Sequence, residues 1–127
     1  MDVQTGRVMW VQADRKRSAL FTELLKKLDR LYADKRVVHI ILDNYVIHTS
    51  KITQKVVEEF NGRIVLHFLP PYCPDDNKIE RCVWRELHAN VTCNHRCQRM
   101  DDLLGEVRRY LVKWNRAVAA KCRQKAA

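Results

Sequence analysis

The sequence predicts an α/β fold, and three observations predict it. Two short runs of β-branched and apolar residues, Val37-Val38-His39-Ile40-Ile41-Leu42 and residues 64–69, have the length and composition of strands. Around them stand segments whose apolar residues recur every three or four positions, the period of an amphipathic helix. The first run ends directly in Asp43-Asn44, and Glu80 follows Asp43 by 37 positions, about what a parallel βαβ unit needs to return the chain to a neighbouring strand. Two carboxylates at the C-terminal edge of such a sheet would stand where open α/β sheets place their sites.

Each element has its own local reason. Residues 5–12 open with a turn glycine, Gly6, and then alternate, which predicts a strand at a sheet edge. Asp14 to Arg17 make a charged turn. Ser18 is the expected N-cap of a helix on which Leu20, Phe21, Leu24, Leu25, Leu28, Leu31 and Tyr32 form one apolar stripe. The continuous apolar run at 37–42 reads as a buried strand. Residues 45–49 form a loop, and Ser50 caps a helix over 51–60 whose Ile52, Val56 and Phe60 repeat every four, with Asn61-Gly62 as its stop. Pro70, Pro71 and Pro74 end the second strand, because proline removes a ladder donor, and they stiffen the loop leading to Glu80. Over 78–91, Ile79, Val83, Leu87 and Val91 line one face while Glu80, Trp84 and His88 line the next, which turns Glu80 toward a cleft. A last helix, capped by Asp101, carries Leu103, Leu104, Val107, Leu111 and Trp114; residues 115–127 form a basic tail expected to fray.

With 127 residues and 46% apolar content, one domain over 1–127 with a modest core is expected. No run approaches the roughly 18 apolar residues of a membrane span, and no leader pattern is present, so a soluble cytoplasmic protein without a membrane partner is expected. The five cysteines, at 73, 82, 93, 97 and 122, lack the paired spacing of a secreted scaffold and read as thiols. The net charge of +9 is uneven: residues 1–80 hold 13 basic and 11 acidic side chains, residues 81–127 hold 11 and 4. A basic C-terminal third suits a polyanion such as DNA, whose counterions it would release. The plainer alternative is a solvated helix face that serves solubility alone.

Leu42-Asp43-Asn44 with His48, then Phe68-Leu69-Pro70-Pro71-Tyr72, Pro74-Asp75, Asn77, Ile79-Glu80-Arg81 and Trp84, resembles the DDE transposases of bacterial insertion sequences related to the mariner group. The resemblance runs from about Thr5 to Trp114. It implies a ribonuclease H-like (RNase H-like) fold in which three carboxylates, Asp, Asp and Glu, hold two Mg²⁺ or Mn²⁺ ions that cut and join DNA strands. Asp43 and Glu80 match the second and third acids, as catalytic and metal-ligating residues. The family's first Asp lies on an early strand, and none of Asp2, Asp14, Glu23, Asp29 and Asp34 follows an apolar strand run. The expectation is an RNase H-like domain incomplete at its N-terminal side, with an added C-terminal helix. Its function would be that of a transposase catalytic-domain portion, or alternatively of an inactive DNA-binding and oligomerising remnant. The strand left without its neighbour predicts a homodimer through an open sheet edge. No small-molecule cofactor is expected.

Carboxylates suit two-metal phosphoryl transfer because they are hard, anionic and able to bridge ions about 3.5–4 Å apart. The plainer readings are turn chemistry for Asp43 and, for Glu80, the preference for an acid in a first helical turn. Asn44 and Asn77 are candidates for ordering water at the metals or for making turns. His48 would face phosphate or metal, or cap the next helix. Arg81 and Arg85 would contact the DNA backbone beside Glu80, or merely solvate the surface. Cys93, His95 and Cys97, with His88 upstream, have zinc-ligand types without the spacing of a finger.

Overall fold

The structure, a computed structural model, describes residues 1–13, 17–71 and 77–126, with side chains as far as residue 124. It divides into two compact units, Trp10–Asn77 and Met1–Met9 with Lys78–Ala127. The first contains α1 (Ser18–Leu31), β1 (Val38–Leu42), a 3-10 turn (Val46–Thr49), α2 (Lys51–Glu59) and β2 (Ile64–Phe68). β1 and β2 pair in parallel, Val38 opposite Ile64 and Leu42 opposite Phe68. Parallel neighbours need a crossover, and α2 supplies it.

Phe21 and Leu25 of α1 and Ile64 of β2 form the core of this unit, with Ile40, Leu42, Ile47, Val57, Phe60 and Leu66 packed around them. Because successive strand residues point to opposite faces, Ile40 and Leu42 turn inward while His39 and Ile41 turn out. Ile41 is 57% exposed, so β1, expected to be buried, has one open face. Ser18 does not cap α1. Arg17 holds the extended N-cap position and its carbonyl takes the first helical bonds, from Leu20 and Phe21, which leaves Ser18 inside the first turn. Ser50 does cap α2, accepting from the Thr53 N–H at 3.3 Å. On α2, Val56 is buried and Phe60 packs against the core as expected, but Thr53 is fully buried and Ile52 exposed. The Thr53 hydroxyl pays for its burial by donating to the Ile47 carbonyl at 2.7 Å. Arg63 ties the end of α1 to the start of β2, its Nε on Asp29 Oδ1 and its Nη1 on the Lys35 carbonyl, both at 2.9 Å.

The expected edge strand over residues 5–12 is not formed, and among the described residues no strand pairs with it. Within the second unit, the Val8 N–H donates to Asn115 Oδ1 and the Val8 carbonyl accepts from Asn115 Nδ2, each at 2.8 Å. One side-chain amide thus supplies the two bonds a neighbouring strand would have made. Trp114 Nε1 donates to the Gly6 carbonyl at 3.1 Å, where Gly6 turns the chain with φ +74°.

Residues 78–92 form α3, which is π-helical over Glu80–Trp84 and His88–Thr92 and α-helical over Arg85–Leu87. The Arg85 N–H reaches back to the Glu80 carbonyl and the Cys93 N–H to that of His88, five residues in each case. Val83 and Leu87 are buried as their spacing predicts. α4 runs over Met100–Ala126, 27 residues. Asp101 is its second residue rather than its cap, and residues 115–126 are helical. Four alanines and long straight side chains there have high helix propensity, and cations near a C-terminus complement the helix dipole. Cys82, Cys93, Cys97 and Cys122 are free thiols. No described helix is long and apolar enough to cross a membrane.

Candidate functional site

Asp43 is the first residue beyond β1, and the chain folds so that its carboxylate is held from two sides. Oδ1 accepts the Tyr45 N–H at 3.2 Å, an Asx-type turn, and lies 3.1 Å from His48 Nε2. The carboxylate remains 57% exposed, whereas the imidazole is 14% exposed. The 3-10 turn over Val46–Thr49 folds His48 back onto α1, where its ring meets Phe21 edge-on at 4.3 Å between centroids. Burial against that wall lowers the His48 pKa from its usual value, while the Asp43 charge and hydrogen bond act in the opposite sense and do not overcome it. The neutral ring then carries its proton on Nε2 and donates it to Asp43. Nδ1 is buried with no hydrogen-bond partner among the described residues. Turn chemistry and an oriented, solvent-facing carboxylate are therefore the same arrangement at Asp43.

Asn44 ties the loop after β1 to the end of β2. Its Nδ2 donates to the Leu69 carbonyl at 2.6 Å, and the Leu69 N–H donates to the Leu42 carbonyl at 2.8 Å. Together they clamp the C-terminal ends of both strands beside Asp43. A shallow recess lined by His48, Thr49, Gln54, Val57, Leu66 and Phe68 adjoins this corner. Phe21 is the residue that sequence reasoning missed. Its place on an apolar stripe marks it as core, but nothing in the sequence ties it to a histidine 27 positions away.

Glu80 belongs to the other unit. It opens the first π-helical stretch of α3, and its side chain is exposed, as are those of Arg81 and Arg85. Asn77, immediately ahead of α3, is half-buried. Tyr72 to Asp76, which carry part of the proline-rich motif, lie outside the described residues. His88 Nδ1 is within 2.9 Å of Thr92 Oγ1, so the upstream histidine of the cysteine cluster is engaged locally. Among the described residues no group of three or more His, Cys, Asp or Glu side chains is placed to hold one metal ion. The donors themselves suit a hard divalent cation, since Asp43 and Glu80 both offer exposed carboxylate oxygen. On α4, Arg108, Arg109, Lys113 and Arg116 surround Val112 along one exposed face.

The sequence model of a "DDE superfamily endonuclease" matches residues 1–104. The chain is also 40% identical over 107 residues to the "Insertion element IS630 uncharacterized 39 kDa protein" of Shigella sonnei. That match covers 84% of this chain and 31% of the relative, so the chain spans about a third of the relative's length. No solved structure matches it.

Proposed function

We infer function from one premise: the chain belongs to the DDE superfamily endonucleases. Members of that superfamily in general use divalent metal ions. We propose that this chain is a cytoplasmic transposase catalytic-domain portion, from an insertion element of the mariner-related kind, built on an incomplete RNase H-like fold. Its partner is DNA, and the reaction of its lineage is metal-dependent strand cleavage and transfer. One observation carries the reading: in a parallel strand pair, Asp43 projects an exposed carboxylate from the C-terminal end of β1 and is oriented there by His48. The similarity to an insertion-element protein supports the transposition context.

In this reading Asp43 and Glu80 are the carboxylate ligands of Mg²⁺ or Mn²⁺, which would supply charge neutralisation at the scissile phosphate. His48, as a neutral donor, holds Asp43 in one orientation. Asn44 keeps the strand ends from parting beneath it. Arg81 and Arg85, on the same helix as Glu80, would contact DNA phosphates; Asn77 would fix the entry to that helix. The second reading is an inactive DNA-binding and oligomerising remnant, whose basic C-terminal third would hold the DNA backbone. Mn²⁺-dependent nicking of supercoiled plasmid at low salt, with Asp43→Asn and Glu80→Gln as controls, separates the two. Nicking lost in both variants establishes the catalytic reading. DNA retention without nicking, alike in all three proteins, establishes the remnant.

The partner surface includes a second copy of the chain. β1 and β2 form a two-stranded sheet in which each has one edge without a strand among the described residues, and an unpaired edge is a template for another chain. Light scattering at micromolar concentration should return the mass of a dimer; a monomer mass defeats this assembly.

A further inference from the structure

We propose that His39 and His67 form a bis-imidazole site for a borderline transition-metal ion, Ni²⁺ or Cu²⁺ in preference to Mg²⁺, on the open face of the β1–β2 pair. The proposal is independent of the reading of Asp43 and Glu80. The register sets Ile41 opposite His67 and His39 opposite Val65, so the two histidines are diagonal neighbours on one face. Both side chains are exposed, and His39 Nδ1 lies 2.9 Å from His67 Nε2, with the rings tilted by 41°. Two nitrogens bound cis to one ion at the usual metal–imidazole length of about 2.1 Å stand about 3.0 Å apart when the angle between them is about 90°. A tetrahedral angle would need about 3.4 Å. The observed separation therefore matches the cis positions of a square-planar or octahedral ion, with water completing the shell.

Elementary donor chemistry and the backbone both favour this use. The facing nitrogens carry one N–H between them; when a metal ion binds, the donor ring takes its other tautomer, the proton moving to its outer nitrogen, so that each ring presents a lone pair to the ion. The strands that carry them are held by the ladder and by the Asn44 clamp, so little ordering is needed on binding. Nitrogen donors select transition metals, while Mg²⁺ prefers oxygen and dehydrates reluctantly. Neither histidine touches Asp43, and Asp43 faces its own partners at Tyr45 and His48.

Isothermal titration of the untagged full chain with Ni²⁺, in the presence of millimolar Mg²⁺, tests the site. The wild type should show a binding event that His39→Ala and His67→Ala each weaken by about tenfold or more, since loss even of a ligand's outer partner costs about 10–100-fold. Asp43→Asn should leave that event unchanged, which separates this site from the proposed catalytic one. Free thiols contribute equally to all the proteins. Both histidines are exposed, and circular dichroism confirms that the variants remain folded. Isotherms that match the wild type in both histidine variants, or an effect confined to one of them, overturn the paired site.

Discussion

Asn115 closes both backbone groups of Val8, accepting its N–H and donating to its carbonyl at 2.8 Å, across 107 positions of sequence. Val8 is 1% exposed, so no solvent stands ready to replace those bonds. Asn115→Ala would leave a buried donor and a buried acceptor unpaired. The expected loss is about 2–6 kcal/mol of unfolding free energy, at roughly 1–3 kcal/mol for each of the two orphaned groups. Asn115→Asp keeps the acceptor and loses the donor, and should fall between. Urea denaturation measures both, and an alanine variant as stable as the wild type refutes the account.

His48 makes stability depend on pH in one sense. Its folded pKa lies below the unperturbed value of about 6.5, because burial against Phe21 outweighs the nearby Asp43 carboxylate. The unfolded chain therefore binds the proton more readily. The stability contributed by the neutral ring is full above about pH 6.5 and is lost as pH falls through the folded pKa. In Asp43→Asn the opposing charge is removed, and the imidazole should titrate lower still. Nuclear magnetic resonance of the ring protons follows this directly. A His48 midpoint above 6.5 in the wild type would show that the ion pair dominates instead.

Arg63→Lys should destabilise the unit of residues 10–77 by about 1–3 kcal/mol. The guanidinium serves Asp29, the Lys35 carbonyl and the Tyr32 carbonyl from one rigid plane, the last at 3.4 Å. A lysine ammonium reaches one of these sites but has no fork with which to bridge helix end and strand start. Thermal denaturation should show the loss even though the charge is retained. An unchanged midpoint would assign these contacts no net value.

Residues 105–127 lie beyond the family match and hold seven basic side chains against one acidic. Arg108, Arg109, Lys113 and Arg116 share one face of α4, with Arg109 paired to Glu106. If this face carries the DNA backbone, replacing all four by glutamine should flatten the slope of log affinity against log salt by about three to four, at about 0.9 per phosphate contact. The four are exposed, so folding should survive. A slope unchanged in the variant would place DNA elsewhere.

The local signals in this chain were strong where the chemistry is local. Continuous β-branched and apolar runs marked both strands, Ser50 marked the start of α2, and a carboxylate directly after β1 marked the corner that carries Asp43. The spacing of Val83 and Leu87 found the buried face of α3, because a π turn still returns every fourth or fifth residue to the same side. Elsewhere local pattern misled for a physical reason. Residues 5–12 have the alternation of a strand, but a strand exists only with a partner, and Asn115 satisfied Val8 instead. Ile52 has the right period and Thr53 does not look apolar, yet Thr53 is the buried one because the Ile47 carbonyl is there to receive its hydroxyl.

By itself, then, the sequence determined the family, the parallel βαβ unit and the two acids on which the function is proposed, since these follow from motif and period along the chain. Only the tertiary structure decided that His48 is desolvated by Phe21 and donates to Asp43, that Asn44 clamps two strand ends, and that His39 and His67 meet. Those facts depend on which distant residues share a surface. Burial and hydrogen-bond partnership are properties of pairs in space, and no spacing along one chain records them.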